Sequence, residues 1–547
     1  MTFLLEHPYV INPNFQKKVA YFSMEFGIDQ PFKVYAGGLG YLSGSHMKSA
    51  FELQQNMVGI GILWKYGYYD QTRKPDQTMD VLFEEKNYGF LQKTDLKFTI
   101  TVAKQDVWVA VYHLPPSVFN TVPLFFLSTD LPENDYLSKT ISHKLYDSNS
   151  EAKIAAAILL GIGGAKLLEI LNWEPETYHL NESHGLPLAF YLHNKYKSLA
   201  EVKKRLVFTN HTAEEAGNHK NDINLLDKMG FFYDVALAEV KKIAQTNGEI
   251  LDHTLTALRM SKKANGVSKI HEKVLHEMFK NEDDICEIIS ITNAQNYAYW
   301  HDKAMYQALE DSDDAALRRR KYQRKKLLFE EVADQCGRIY NEKVFTIVFA
   351  RRFASYKRAD LFFHDMDKFV KLVSNPKRPV QIIWAGKPYP MDYAGIEVFD
   401  KIVNVCKIYK NCSILTGYEM KLSKLLKQGA DIWLNLPLIS HEASGTSGMT
   451  AAMNGTVNVS FSDGWFPEFA KDKINSFVIP PCDITLSEEV QSDLDAASLY
   501  HLLESEIIPM YYDYPNHWLE IVKNGMKDVV PQYGSNRMVQ EYYERLY

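Results

Sequence analysis

The second half of this chain alternates short apolar runs with longer segments of helical spacing. Short buried runs bounded by turn residues are typical of parallel strands, and helices between such strands produce a doubly wound sheet. The pattern therefore predicts an α/β domain with a parallel sheet. Its predicted strands are residues 344–349, 380–384, 413–415, 432–436 and 456–461.

The first half repeats this pattern around an insertion. Residues 80–128 alternate apolar and polar side chains with a period of two, which predicts inserted antiparallel strands. Helices are predicted at residues 45–53 and 151–171. The remaining predicted strands are residues 19–26, 57–64, 178–184 and 206–212, and residues 291–296 are predicted to form a strand and a loop.

Composition narrows the class of protein. The chain has 547 residues, of which 46% are hydrophobic and 24% charged, with a net charge of -7. These values suit a globular protein without general affinity for nucleic acid or anionic membranes. The basic residues within 310–335 follow acidic ones at helical spacing, which favours a solvated helix at a domain boundary.

Cysteine usage and the N-terminal sequence predict a cytoplasmic protein without a structural metal. Five cysteines without CxxC spacing argue against a disulfide framework and against a zinc site. Residues 1–19 lack a signal-peptide pattern, and no apolar run reaches the ~18 residues that a membrane span needs.

Residues 441–450 read His-Glu-Ala-Ser-Gly-Thr-Ser-Gly-Met-Thr, between a predicted strand and a helix expected to start at Ala451. A carboxylate, hydroxyls and glycines at this position can bind an anion and a sugar. Helix N-terminal N–H groups would face the ligand, and glycine permits close backbone approach. An ordinary turn with a capping residue fits the local pattern equally well.

Residues 349–358, Phe-Ala-Arg-Arg-Phe-Ala-Ser-Tyr-Lys-Arg, predict an anion site. Arginine offers a planar fork to phosphate oxygens and lysine adds a compact charge. The preceding strand should bring these cations to the edge of the sheet where ligands bind. Gly37 and Gly38, ahead of a predicted helix, are a second and weaker phosphate-loop candidate.

Polar residues also end two predicted strands of the first half. Asn181, Glu182 and His184 follow one strand, and His211 follows the next. Ligands gather beyond such strand ends, so His184, His211 and His219 are candidate ligand contacts, although a single histidine is more often structural.

These motifs resemble the α-glucan phosphorylases of the glycogen, starch and maltodextrin type. Residues 442–446 match the signature Glu-Ala-Ser-Gly-Thr, and Arg352 and Lys357 match an arginine and a lysine, five apart, that hold the donor phosphate. The order of motifs fits the shorter bacterial members, from Tyr-Phe-Ser-Met-Glu at 21–25 to Arg-Met-Val at 537–539.

The resemblance implies a GT-B fold, in which two Rossmann-like domains with parallel sheets face each other across a cleft. It implies an N-terminal domain over 1–310 on the glucan side and a C-terminal domain over 311–515 on the phosphate side. Helices over 516–547 would return to the first domain. The implied reaction is retaining transfer of glucose between the non-reducing end of an α-1,4-glucan and phosphate, giving glucose 1-phosphate. A homodimer is left open.

The resemblance also implies roles for named residues. The catalytic candidates are Arg352, Lys357, Glu442 and His219. The phosphate- or donor-binding candidates are Gly37, Gly38, Arg351, Ser444, Gly445 and Thr446. The sugar-binding candidates are Asn181, Glu182, His211, Asn218 and Asn296.

Two departures from the family pattern concern cofactor and sugar. The family carries a lysine eight positions after the glutamate, which holds pyridoxal phosphate as a Schiff base, and this chain has Thr450 there. A hydroxyl cannot form an imine, so no covalent pyridoxal phosphate is expected. Where the short phosphorylases read Asn-Gly-Val-His, this chain reads Asn-Ala-Gln-Asn, ending at Asn296.

Three alternatives follow from Thr450. The chain binds pyridoxal phosphate non-covalently, or a nucleotide-sugar donor takes that space, or catalysis is lost and glucan binding remains. Retention of Arg352, Lys357 and Glu442 disfavours the last, since a binding module needs no phosphate clamp. No sequence feature separates the first two alternatives, because the same cations suit phosphate and diphosphate alike. The phosphorylase reaction is the leading prediction on the family resemblance.

Overall fold

The computed structural model describes residues 5–214, 217–246 and 248–547. Residues 1–4, at the start of the predicted first domain, lie outside this description. The chain divides into two compact units. The first unit comprises Met1–Tyr69, Phe83–Asn296 and Ser535–Tyr547, and the second comprises Asp70–Leu82 and Tyr297–Gly534.

The strands are numbered in chain order. They are β1 (Val19–Phe22), β2 (Met57–Ile62), β3 (Asp70–Arg73), β4 (Met79–Leu82), β5 (Gln92–Val102), β6 (Gln105–Leu114), β7 (Leu124–Ser128), β8 (Thr177–Asn181), β9 (Leu206–Thr209), β10 (Lys220–Asp222), β11 (Ile250–Asp252), β12 (Lys263–Gly266), β13 (Glu287–Ser290), β14 (Phe345–Ala350), β15 (Val380–Ala385), β16 (Cys412–Leu415), β17 (Ile432–Asn435), β18 (Val457–Ser460) and β19 (Ser476–Val478).

The α-helices are numbered in the same way. They are α1 (Gly38–Glu52), α2 (Pro116–Phe119), α3 (Tyr136–Thr140), α4 (Ser150–Ile158), α5 (Gly164–Ile170), α6 (Pro187–Tyr196), α7 (Leu199–Lys203), α8 (Ile223–Met229), α9 (Leu237–Ala244), α10 (His253–Met260), α11 (Lys269–Met278), α12 (Tyr297–Trp300), α13 (Lys303–Glu310), α14 (Asp314–Cys336), α15 (Met366–Val373), α16 (Tyr393–Ile408), α17 (Met420–Gly429), α18 (Thr446–Ala452), α19 (Phe466–Phe469), α20 (Glu488–Leu502), α21 (Ile508–Asp513), α22 (Pro515–Tyr533) and α23 (Ser535–Glu541).

The first unit is built on a nine-stranded sheet of order β13-β12-β9-β8-β1-β2-β7-β6-β5. The strands from β13 to β7 run parallel, while β6 and β5 pair antiparallel at one edge. The predicted antiparallel insertion is therefore confirmed. Of the strand and loop predicted at 291–296, the strand is placed wrongly, because β13 ends at Ser290 and residues 291–296 form the connection that follows. Strand β13 begins with the charged residue Glu287, so a search for apolar runs does not find this strand.

The second unit contains a six-stranded parallel sheet of order β16-β15-β14-β17-β18-β19. All residues of β14, β15 and β17 are buried, as expected for a parallel sheet with both faces covered. The five strands predicted for this half are confirmed. The sixth strand, β19, was not predicted, since three residues are too few to give a recognisable pattern.

The observed units differ from the predicted domain boundaries in three places. The hairpin β3–β4 belongs to the second unit, where the Gln71 amide donates to the Gly386 carbonyl oxygen at 2.8 Å. The second unit begins at Tyr297 because α13 packs on α22, with the Tyr306 hydroxyl donating to the Met526 carbonyl oxygen at 3.0 Å. The chain re-enters the first unit at Ser535.

The C-terminal residues are anchored within the first unit. The Lys17 ammonium donates to the Tyr547 carbonyl oxygen at 2.8 Å, and Arg537 donates to the Thr292 carbonyl oxygen at 2.8 Å. Two α/β units with parallel sheets, and a last helix that returns to the first unit, confirm the predicted GT-B class.

Two predicted helices require correction. The charged helix α14 is not solvated throughout, because the Lys325 ammonium is buried and donates to Asp431 at 2.6 Å. Helix α18 begins at Thr446 and not at Ala451. Gly445, with φ of 88°, reverses the chain immediately before α18, so the helix starts inside the motif. Among the described residues, none of the helices has the length and apolar character needed to traverse a lipid bilayer.

Candidate active site

In the second unit, a buried carboxylate joins two cations. The Glu442 Oε2 atom lies 2.5 Å from an Arg351 guanidinium nitrogen and 2.9 Å from the Lys357 Nζ atom. Arg351 follows β14 directly, and Glu442 lies on the connection after β17. These strands are neighbours in a parallel sheet, so their carboxyl ends bring the cations and the carboxylate together.

The charge on Glu442 is fixed by this arrangement. Burial alone raises the pKa of its carboxyl group, but the Arg351 and Lys357 charges outweigh burial and lower that pKa to about 2. Glu442 is therefore ionised at every physiological pH. Arg351 also donates to the Asn435 amide oxygen, which fixes the guanidinium against the end of β17.

Two buried turns position Glu442 and Ser444. The Asp463 carboxylate accepts hydrogen bonds from the Glu442 N–H at 3.0 Å and the Gly464 N–H at 2.8 Å, and burial raises the pKa of Asp463 to about 6. Gly464 has φ of 58°, and a Cβ atom there would lie 2.4 Å from the Ser444 carbonyl oxygen. This close approach requires glycine.

The two predicted clamp arginines lie in different environments. Arg351 is buried against Glu442, whereas the next residue, Arg352, is exposed. The structure joins Lys357 and Glu442 with Arg351.

The predicted cradle has one unsatisfied polar atom. The Ser444 hydroxyl oxygen is buried and has no hydrogen-bond partner among the described residues. Gly445 caps the N-terminus of α18 and Thr446 is its first residue. A buried hydroxyl without a partner is costly, so this oxygen suits a hydrogen bond with a ligand or a water molecule.

The Thr450 side chain is part of α18 and is buried. Its hydroxyl donates to the Ser447 carbonyl oxygen at 3.1 Å. The residue is 1% exposed and carries no amine. Position 450 therefore has no amine with which an aldehyde could form an imine.

In the first unit, the ends of β8 and β9 are tied by side chains. The His211 Nε2 atom lies 2.7 Å from the Asn181 amide oxygen, and the His211 N–H donates to Glu182 at 2.6 Å. The Asn181 amide nitrogen donates to the Ser23 hydroxyl at 3.0 Å. These predicted sugar-binding residues lie together at the carboxyl edge of the sheet, and their polar atoms hold neighbouring connections in place.

Asn218 and Asn296 lie in other contacts. The Asn218 amide oxygen accepts from Thr254 at 3.0 Å. The Asn296 amide nitrogen donates to Ser49 at 3.1 Å and to Glu52 at 2.9 Å, within a buried region that also holds Ser535. These two hydrogen bonds join Asn296 to helix α1.

A cavity of about 190 Å³ lies entirely within the first unit. Three of its lining histidines are close together, with the His184 ring centroid 5.5 Å from that of His219, and His219 6.2 Å from His253. The His184 Nδ1 and His253 Nε2 atoms are buried without hydrogen-bond partners among the described residues. Burial lowers the pKa of both rings to about 3, so they are neutral and can bind hydroxyl groups.

The Gly37–Gly38 loop is engaged by an internal anion. The Glu25 Oε2 atom accepts hydrogen bonds from the Ala36 N–H at 2.7 Å and the Gly37 N–H at 3.1 Å. Tyr146, which lines the cavity, donates to the other oxygen of Glu25. The loop thus presents its N–H groups to a carboxylate, as an anion-binding loop would.

Glu25, Tyr146 and His253 were not predicted from the sequence. Glu25 follows β1 and could have been found by the same strand-end rule that selected Glu182. Tyr146 and His253 lie on loops and helices far from any motif, so local sequence carries no signal for them. In the part of the chain that the structure describes, no group of three histidine, cysteine or acidic side chains is arranged to hold a metal ion.

Comparison with known proteins identifies the family. Residues 290–474 match the carbohydrate phosphorylase family, and residues 18–285 match the starch synthase catalytic domain. The chain is 45% identical to an uncharacterized protein of Methanocaldococcus jannaschii, over 97% of this chain and 100% of that protein. It is 33% identical to a maltodextrin phosphorylase of Thermococcus litoralis, over 98% of this chain and 71% of that protein.

A glycogen phosphorylase of Aquifex aeolicus is 29% identical, over 97% of this chain and 86% of its own length. Both relatives with phosphorylase names align with nearly the whole of this chain, including both α/β units. The chain is accordingly a glycosyltransferase that belongs to the carbohydrate phosphorylase family.

Proposed function

We propose that this protein transfers glucose between the non-reducing end of an α-1,4-glucan and phosphate, with retention of configuration and with glucose 1-phosphate as the second product. The observation that best supports this proposal is the buried contact of Arg351 and Lys357 with Glu442, at the carboxyl edge of the sheet of the second unit. Two buried cations on one carboxylate form a site that an incoming phosphate can share. The names of the maltodextrin and glycogen phosphorylase relatives support this choice of substrates.

The charges of Arg351, Lys357 and Glu442 explain how this site would bind phosphate and sugar. Phosphate oxygens compete with Glu442 for Lys357 and Arg351, because both cations bind oxyanions. Both cations contact Glu442 through Oε2, and we infer that Oε1 accepts a hydrogen bond from a sugar hydroxyl. The cations then stabilise phosphate while the glycosidic bond breaks through an oxocarbenium-like state.

The histidine-lined cavity of the first unit is proposed to bind the glucan. Neutral His184 and His253 offer unsatisfied ring nitrogens to hydroxyl groups, and Trp64 adds an aromatic surface. In this proposal the His211–Asn181–Glu182 network holds the loops of the site in position. His219, at the cavity, remains a candidate for contact with the glucose.

Thr450 determines how this chain would hold a cofactor. We infer that residue 450 holds no cofactor covalently, since the Thr450 hydroxyl is committed to a helix carbonyl. Pyridoxal phosphate bound in another way would supply a phosphate group beside the substrate phosphate. The alternative is a nucleotide-sugar donor in place of phosphate, because the same arginine and lysine can bind a diphosphate.

The test is formation of glucose 1-phosphate from a maltooligosaccharide and phosphate, measured with and without added pyridoxal phosphate. We expect product, and we expect Lys357→Met to lower its rate by about 10²–10³-fold, as removal of a charge-stabilising donor does. Lys368→Met, which removes a partly exposed lysine of α15 that pairs with Asp365, is the matched control and should leave the rate unchanged. Absence of product, together with glucose transfer from a nucleotide sugar, would overturn the proposal.

A further inference from the structure

Helix α3 of the first unit carries two large apolar side chains that face solvent. Tyr136 is 76% exposed and Leu137 is 74% exposed, and the proposed reaction uses neither. A single exposed apolar residue is common on protein surfaces, whereas neighbouring ones mark a binding surface more often. These two residues are consecutive, so together they form an apolar patch.

This patch lies one helical turn from the histidine-lined cavity. Thr140 and Ile141, at the end of α3, both line that cavity, and Thr140 is partly exposed at its solvent side. Residues four apart share one face of a helix, with Cβ atoms roughly 5–6 Å apart. Tyr136 therefore neighbours Thr140. Leu137 neighbours Ile141, whose backbone is still helical, with φ of -56° and ψ of -37°.

Helix α3 is fixed at both ends. The Asp135 carboxylate caps its start by accepting a hydrogen bond from the Ser138 N–H at 2.7 Å. Just beyond its end, Ile141 is buried and the Ser142 hydroxyl accepts a hydrogen bond from the Thr129 N–H at 3.0 Å. Because this backbone is already ordered, contact between the patch and a ligand requires no ordering of a loop.

A further exposed aromatic side chain lies beside the start of α3. The Asn134 side chain accepts a hydrogen bond from the Trp108 N–H at 2.8 Å and donates one to the Trp108 carbonyl oxygen at 2.8 Å. The Trp108 indole is exposed, and the Lys97 Nζ atom lies 5.0 Å from its ring centroid. Lys97 also forms an ion pair with Glu133. Aromatic surface and charged hydrogen-bonding groups are therefore adjacent here.

We propose that Tyr136 and Leu137 form an outer subsite for an α-glucan chain whose end occupies the cavity, and that Trp108 extends this subsite. The proposal rests on the proposed function for the class of ligand. It adds that the substrate is a chain longer than the cavity can hold.

The chemistry of the sugar and the size of the cavity support this subsite. A glucose ring has faces of C–H groups and a rim of hydroxyl groups, so it suits an apolar side chain with polar neighbours. The cavity volume of about 190 Å³ is below the roughly 300–1,000 Å³ of sites that enclose a drug-sized ligand. Most of a long glucan must therefore lie outside the cavity, where the patch at Tyr136 is the nearest exposed apolar surface on α3.

The test measures binding of maltotriose and of maltoheptaose to the full chain by isothermal titration calorimetry. Phosphate is left out, so the proposed reaction cannot proceed during the titration. We expect the wild type to bind maltoheptaose about 10-fold more tightly than maltotriose. Tyr136→Ala should weaken maltoheptaose binding by about 5–10-fold, as loss of an aromatic contact does, and leave maltotriose binding unchanged.

Two further variants separate the ring contact from other effects. Tyr136→Phe keeps the ring and should bind maltoheptaose as the wild type does. Tyr514→Ala is the matched control, because Tyr514 is a tyrosine of the second unit that is 65% exposed, and it should change neither affinity. Both alanine variants should unfold at the wild-type temperature, since neither removes a buried side chain.

Three results would overturn the proposal. The first is an unchanged affinity of Tyr136→Ala for maltoheptaose. The second is an equal loss of affinity for both oligosaccharides in that variant. The third is a wild-type dimer in light scattering that Tyr136→Ala dissociates, because the patch would then cover a second copy of the chain.

The binding result is distinguishable from that of the phosphorolysis assay. A preference for maltoheptaose that Tyr136→Ala abolishes, in a protein that forms no glucose 1-phosphate, would retain this proposal and reject the proposed function. Glucose 1-phosphate formation with a length preference that Tyr136→Ala leaves intact would do the reverse. Absence of binding for both oligosaccharides would reject both.

Discussion

The Lys357 ammonium and the Glu442 carboxylate lie 2.9 Å apart in the second unit, and both are almost fully buried. Arg351 contacts the same carboxylate oxygen, so one anion balances two cations. The local excess of positive charge is what a phosphate site requires, and Glu442 keeps it stable in the absence of substrate.

Replacement of Glu442 by glutamine should lower the free energy of unfolding by an amount that depends on pH. The pKa of Glu442 is about 2 in the folded protein, below its ordinary value of 4.5. Its ionised form thus stabilises the fold above about pH 4.5, and this contribution is lost as the pH falls through about 2. It amounts to about 3 kcal/mol. Urea unfolding of wild type and Glu442→Gln should show a constant difference at pH 6–8 and a smaller one below pH 4.5.

Arg351 and Arg352 should differ sharply when each is replaced by methionine. Arg351→Met leaves Glu442 with one buried partner fewer and should cost about 3–5 kcal/mol of unfolding free energy. Arg352→Met, at an exposed position, should change that free energy by less than about 0.5 kcal/mol. Denaturant unfolding measures both. Loss of activity in Arg352→Met without loss of stability would support its predicted catalytic role, and equal stability losses would contradict the placement described here.

Gly37, which precedes helix α1, and Gly38, its first residue, should each tolerate alanine in the fold, but alanine there should weaken phosphate binding. A Cβ atom on Gly37 or Gly38 would meet nothing within 4 Å. We therefore expect Gly37→Ala and Gly38→Ala to unfold at the wild-type temperature while their KM for phosphate rises. Gly44→Ala is the contrasting variant, since its Cβ atom would lie 1.8 Å from the Gly27 carbonyl oxygen. An unchanged KM in both loop variants would exclude the loop from the phosphate site.

Lys427 should destabilise the protein most at neutral and acid pH. Its pKa falls from 10.5 to about 7 on folding. Protonation of this amine is favoured in the unfolded chain and disfavoured in the folded protein. The resulting loss of folding free energy grows as the pH falls from about 10.5 to about 7. Lys427→Met should gain on the order of 3 to 4 kcal/mol relative to wild type at pH 7, and little at pH 10. Thermal or urea unfolding at the two pH values checks this, and a gain equal at both would contradict it.

Sequence patterns predicted most of the strands, and they also predicted that candidate site residues lie at the carboxyl ends of those strands. Apolar runs such as that of β14 predicted the parallel sheet, because buried strands have a local apolar pattern. The charged or glycine-rich residues that follow these runs predicted the cation cluster, because site residues at strand ends also leave a local pattern. The same rule brought Glu442 and Lys357 to one edge. It failed at β19 and β13, where the strand is short or begins with a charged residue.

Tertiary structure decided which of the candidate side chains meet. The sequence alone could not distinguish Arg351 from Arg352, since both follow β14 and only packing turns one inward to Glu442. Nor could it place Lys427 over Trp300, because the two residues lie far apart in the chain and neither belongs to a motif. The sequence by itself determined the elements and the family, through periodicity and short motifs. Side-chain partners, burial and the resulting pKa values depend on contacts between distant segments, and only the folded chain fixes those.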